Sequence, residues 1–261
     1  MPAADLPLLT DAARIAGRVA TSFAGPVARA WDKPGGAGPV TEADLAVNDV
    51  LMSTLRTARP DYGWLSEETE DSTHRLDRDT VFIIDPIDGT RSFVEGSRTW
   101  AISIAVAHQG RVTAAAVYLP LRDKLYAAGL GTGATLNGAS LRACAAPMSP
   151  ASKVLAARPN FEPANWQGAA PQVDRHYRPS LAYRLSLVGE GRFDGMLTLR
   201  PSWEWDIAAG ALIVSEAGGT ITDRTGAPLL FNNPHPTLNG VVAAGDSLHS
   251  ALLGRLEQQS A

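Results

Sequence analysis

The chain has 261 residues, 45% of them apolar and 19% charged, enough to bury a large core and unlike a disordered or low-complexity chain. Its 23 Lys and Arg against 27 Asp and Glu give a net charge of −4 with no basic cluster, which argues against a nucleic acid polymer as partner. One cysteine, Cys144, excludes an intrachain disulfide and a thiolate metal cage and makes a reducing, cytoplasmic location the expectation.

The start of the chain carries Asp5 and Asp11 and lacks the basic opening of a secretory signal. Leu6, Leu9, Ala13, Ala16, Val19, Ala20 and Phe23 recur at three- and four-residue steps, which predicts an amphipathic helix over about 6–24, stopped by Gly25-Pro26. After a Pro/Gly-rich loop from Lys33 to Pro39, a second helix is expected with Thr41 as N-cap, ending before Pro60 with Arg56 and Arg59 near its negative end. Strand-length apolar bursts follow: YGWLS, VFIID, WAISIAVAHQG, RVTAAAVYLP and KLYAAG, with an Asn137-Gly138 hairpin signal. From about 150 the pattern changes to strands separated by helices: KVLAAR, a helix near 180–190, FDGMLTL, a helix over about 205–217, GGTITD, NGVVAAG and a terminal helix over about 246–258. The change places a boundary near 145–152, dividing the chain into an α+β half, 1–148, and an α/β half, 149–261. No apolar run reaches the ~20 residues of a membrane span, so no membrane partner is expected.

The most informative segment is VFIIDPIDGTRSF. A buried strand has no packing reason to end in Asp85 and Asp88, because like charges this close repel unless a cation sits between them. A divalent metal resolves the conflict, although consecutive Asp turns also explain the spelling. Gly89 permits close approach to a ligand, and Thr90 opens a short helical stretch whose free N–H groups suit a phosphate. Glu67 and Glu68, after another strand, fit a hard cation such as Mg²⁺, or else form a solvated acidic loop with Glu70 and Asp71. Asp206 follows Trp203 and Trp205 at the head of a helix, where it either meets the metal or favours the helix dipole. Asp44 stands one turn inside the second helix, where an ordinary surface acid is the alternative. Cys144 and the five histidines lie outside these segments, so no nucleophile–base pair is visible.

Together PVTEAD at 39–44, SEE at 66–68, DPIDGT at 85–90, WDIAAG at 205–210 and EAGG at 216–219 resemble the inositol monophosphatase superfamily of Mg²⁺-dependent phosphomonoesterases, in order and over most of the chain. The resemblance is weakest between about 145 and 178. It implies a layered αβαβα sandwich, of mixed α+β and α/β class, with the site at the seam between the halves. It also implies two or three Mg²⁺ ions: one on Glu67, Asp85 and the Ile87 carbonyl, a second on Asp85, Asp88 and Asp206, and a weaker third on Glu67 with water. Asp44 and Thr90 would be the catalytic pair that orients and deprotonates water, with Glu67 beside them. The Gly89 and Thr90 amides would receive the phosphate, and Glu68 would stand behind Glu67. Lys33 matches a lysine just upstream of the PVT segment in relatives. Relatives are often homodimers and commonly lithium-sensitive.

The small phosphate ester must be chosen by the rim, where Ser180, Arg184 and Arg200 are the expected residues. Inositol-specific relatives tend to carry a glutamate seven positions before the tryptophan-linked aspartate, and here that position is Leu199. SLAYRLSLVGEGRFD, the EWD form of the aspartate motif and FNNPHPTLNG look more like the 3'(2'),5'-bisphosphate nucleotidases, which act on adenosine 3',5'-bisphosphate. An inositol-1-monophosphatase, a sugar bisphosphatase and a non-catalytic metal-binding scaffold are the alternatives.

Overall fold

A computed structural model describes residues 2–23, 29–36 and 38–257. Helix α1 (Leu6–Ser22) buries Leu9, Ala12, Ala13, Ala16 and Ala20 on one side, as the spacing predicts; the Gly25-Pro26 stop lies outside the described residues. Strands Ala30–Asp32 and Pro39–Thr41 pair antiparallel and lead into α2 (Glu42–Ala58). Thr41 caps α2 through a reciprocal box: its hydroxyl accepts from the Ala43 and Asp44 amides, and Asp44 Oδ2 accepts from the Thr41 amide at 2.8 Å.

A seven-stranded sheet follows in chain order: Gly63–Ser66, Thr80–Asp88, Ala101–His108, Arg111–Leu119, Lys124–Gly129, Gly133–Leu136 and Ala139–Ser140. Its first pair is parallel and the rest antiparallel. Asn137 and Gly138, both at positive φ, make the last hairpin turn. Alternate side chains serve two cores. Phe82, Ile84, Ile102 and Ile104 pack with α1 and α2, while Val81, Ile83, Ala105 and Val117 face the opposite side. The short α3 (Thr90–Val94) follows the second strand.

Against that opposite side lie α4 (Leu181–Gly189) and α5 (Glu204–Glu216), both apolar nearly all round, as a layer covered on two faces requires. Their other face meets a five-stranded sheet ordered 174–176, 153–155, 195–198, 241–244 and 220–222. Val242 and Ala244 point away from α5 and pack with Leu248 and Leu252 of α6 (Asp246–Leu253). The layers are therefore α1/α2, sheet, α4/α5, sheet, α6, the αβαβα sandwich expected. The terminal helix ends at Leu253, five residues before the predicted limit, because Gly254 caps it and Leu256 bridges to Trp166. Among the described residues no helix is long and apolar enough to cross a membrane.

The middle layer is closely packed at Gly210, where a Cβ would lie 2.5 Å from Leu185 Cβ. Gly210→Ala should therefore force α4 and α5 apart and destabilise the protein by about 1–3 kcal/mol, read as a lower urea midpoint; an unchanged midpoint would contradict this packing.

Candidate functional site

In regular β structure Asp85 and Asp88, three positions apart, would point to opposite faces. The strand carries one extra residue here: Asp85 pairs with Ser103 and Asp88 with Ala101, three steps against two. This bulge brings both carboxylates to one side. Asp206 arrives from the first turn of α5. Ser103, the cross-strand partner of Asp85, donates from Oγ to the Trp205 carbonyl at 3.0 Å, so the strand paired to one acid anchors the helix that carries another. One carboxylate oxygen from each of Asp85, Asp88 and Asp206 lies within 4.8 Å of the others.

Burial pushes the Asp85 and Asp206 carboxyls well above the usual range, and the charges of Glu67 and Asp88 add to it. Asp88 is raised less, to about 6: burial lifts it, while donors from Ser180 Oγ at 2.7 Å and the Ala182 amide at 2.6 Å hold it down. Asp85 Oδ1 is buried with no hydrogen-bond partner. An acid left so costs about 1–3 kcal/mol or more, and a hard divalent cation satisfies an all-carboxylate cluster of this kind.

Glu67, Gly89 and Thr90 share with the three aspartates the wall of a cavity of about 250 Å³. Lys33 Nζ donates to Glu67 at 2.8 Å and to Glu68 at 2.7 Å, so the lysine upstream of the PVT segment does reach this site. Burial works against the Lys33 charge, but the two carboxylates outweigh it and raise the pKa. Burial likewise lifts Glu68 to about 7 despite the Lys33 hydrogen bond. Asp44 is buried, not a surface acid, and sits at about 6 because burial outweighs the donors from Thr41. Thr90 Oγ1 is 3.2 Å from both Asp44 Oδ1 and the Ile87 carbonyl.

Of the expected rim residues, Arg200 lines the acid cavity. Arg184 is buried and lines a neighbouring one. Ser180 is not on the rim: it is fully buried, capping α4 through the Tyr183 amide and donating to Asp88. The EWD and FNNPHP strings are tied to each other. The Glu204 carboxylate accepts from the Asn232 and Asn233 amides at 2.6 and 2.9 Å and from Asn233 Nδ2, and Arg75 donates to Asn232 Oδ1 and the Asn233 carbonyl. These bonds give both strings a structural role in joining the two loops, one that does not depend on any substrate. Sequence reasoning missed Arg224 and Tyr177, which line the neighbouring cavity; neither stands in a motif.

Residues 5–261 match the sequence profile of the inositol monophosphatase family. Among curated relatives, the inositol-1-monophosphatase of Mesorhizobium japonicum is 35% identical over 82% of this chain and 81% of its own length. The Nus factor SuhB of Escherichia coli K12 is 32% identical over 97% and 96%. Among solved structures, SuhB of Bartonella henselae superposes with a TM-score of 0.82 at 30% identity, covering 96% of this chain and 97% of that one. The Thermotoga maritima IMPase gives 0.79 at 28%, covering 97% and 96%.

Proposed function

Since this chain belongs to the inositol monophosphatase family and is thereby a phosphoric monoester hydrolase, we propose that Asp85, Asp88 and Asp206 hold the divalent ions, taken as Mg²⁺, with which it hydrolyses a small phosphate ester. The observation that carries this is the buried, unpartnered Asp85 oxygen inside a cluster of mutually repelling acids. Glu67, whose Oε1 accepts from Lys33, and the Ile87 carbonyl complete the donor set. Paired divalent ions in such a site lower the pKa of a water and offset the charge on the leaving oxygen. Thr90 orients the attacking water and Asp44, an acceptor poised at about 6, takes its proton. The Gly89 and Thr90 amides receive the phosphate. The Thr90–Asp44 pair favours turnover over a metal-binding scaffold, which has no use for it.

Two substrates divide the finer question. The name of the Mesorhizobium relative favours inositol 1-phosphate. Leu199 in place of a rim glutamate, with Arg200 beside the acid cavity, favours adenosine 3',5'-bisphosphate; a sugar bisphosphate comes third. Phosphate release from the three esters at equal concentration, with Mg²⁺ and with EDTA, separates them. Release from at least one ester, abolished by EDTA, is expected; EDTA-resistant release would overturn the metal assignment, and better turnover of inositol 1-phosphate would remove the nucleotide. A homodimer, lithium sensitivity and the division at 148/149 are proposed on the family resemblance and the sequence pattern alone.

A further inference from the structure

A cavity of about 470 Å³ adjoins the acid cluster and shares Tyr177 and Arg200 with its wall. It is lined by three arginines, Arg184, Arg200 and Arg224, against a single carboxylate, Glu162, which is exposed to solvent. Arg184 and Arg224 are only 4% and 6% exposed, and among the described residues neither has a carboxylate at ion-pair distance. Arg224 Nη1 donates to the Leu199 carbonyl at 2.9 Å, but its Nη2 is buried with no partner. Arg184 Nε donates to the Arg178 carbonyl, and its guanidinium lies 4.4 Å from the centre of the Tyr177 ring.

A structural arginine in this protein looks different. Arg75, 2% exposed, spends its donors on Asp71, Asn232 and the Asn233 carbonyl. A buried cation without a close ion-pair partner is costly, even where, as at Arg184, the Asp88 charge acts on it from further away, and a guanidinium fork matches the oxygens of a phosphate. Ala157, Asn160 and Asn165, from the stretch where the family motifs are faintest, also line the cavity.

We propose that this cavity is a second anion subsite, in which Arg184, Arg200 and Arg224 hold a phosphoryl group of the same substrate whose scissile phosphate lies at the acid cluster. The substrate class is then a small bisphosphorylated metabolite. This rests on the phosphatase reading, and the two fail separately.

The test compares kcat/KM for adenosine 3',5'-bisphosphate against adenosine 3'-phosphate, and for fructose 1,6-bisphosphate against fructose 1-phosphate. In the wild type, one pair shows at least a tenfold preference for the bisphosphate, carried by KM. Arg224→Gln and Arg200→Gln each cut that ratio at least tenfold, and Arg224→Lys restores part of it. Arg200 is exposed, so its variant reports even where Arg224→Gln fails to fold. Release from monophosphates with no preference in either pair, or from inositol 1-phosphate alone, overturns the subsite and spares the phosphatase reading; no release from any of these esters overturns the phosphatase reading. Equal losses on both members of a pair mean a structural role and overturn the subsite. A monophosphate KM lowered by millimolar inorganic phosphate, through Arg224, means a separate free ion and overturns the shared substrate.

Discussion

Asp85→Asn is expected to reduce phosphate release at least ~10³-fold, since a metal ion's several kcal/mol of charge stabilisation corresponds to about one decade per 1.36 kcal/mol, while the metal-free protein stays folded and gains stability. The two effects separate because Asp85, proposed as a ligand of the cation, has no protein donor at Oδ1. Removing its charge relieves repulsion from Glu67, Asp88 and Asp206. Asp88→Asn should behave differently. Its two oxygens accept from Ser180 Oγ and the amides of Leu181 and Ala182, which an amide nitrogen cannot do. That variant loses activity and also loosens the start of α4, by roughly 1–3 kcal/mol for the unmet donors. Phosphate-release kinetics and thermal unfolding in EDTA read both quantities. A metal-free Asp85→Asn protein less stable than wild type would contradict the repulsion.

In EDTA, wild-type stability is expected to fall as pH rises from 5 to 8. The carboxyls of Asp85 and Asp206 stand well above the ordinary value of 3.8 and Asp88 stands at about 6, all through burial first. Between the unfolded and folded pKa values the folded state holds more protons than the unfolded chain. The contribution of these groups is therefore complete below about pH 4 and is lost as pH passes through the folded values. Mg²⁺ bound as proposed would replace those protons. At a hundredfold excess over Kd it adds about 2.7 kcal/mol, and the gain is larger at pH 8, where protons no longer compete, than at pH 5. Melting temperatures with EDTA and with Mg²⁺ across this range give the result, and Asp85→Asn flattens the EDTA profile. A melting temperature in EDTA that does not move with pH, joined to no response to Mg²⁺, would contradict it.

The fold was legible because its strands and helices advertise themselves by period. Phe82 and Ile84 against Val81 and Ile83 serve two cores, so the burst reads as continuous apolar residues, the mark of a strand covered on both faces. Asp85 and Asp88 were legible because an acid pair at the end of a buried strand has no packing purpose, whereas Asp206, at a helix head where an acid is ordinary, stood out only by its flanking tryptophans and the family resemblance. The bulge between Asp85 and Asp88 was not, since one inserted residue leaves no trace until the partner strand fixes the register. Long-range pairings were equally hidden. Nothing local says that Glu204 holds Asn232 and Asn233, so the structural role of both strings was invisible in the sequence. Arg224 sits in an ordinary turn sequence, and only the folded chain shows its guanidinium buried without a counter-charge.

Crystals soaked in Mn²⁺ and measured for anomalous scattering give the most direct test of the metal centre. The expected result is manganese within coordination distance of the Asp85, Asp88 and Asp206 carboxylates, with that density lost in Asp85→Asn. An active protein whose manganese binds elsewhere, leaving these three acids protonated and unligated, would contradict it.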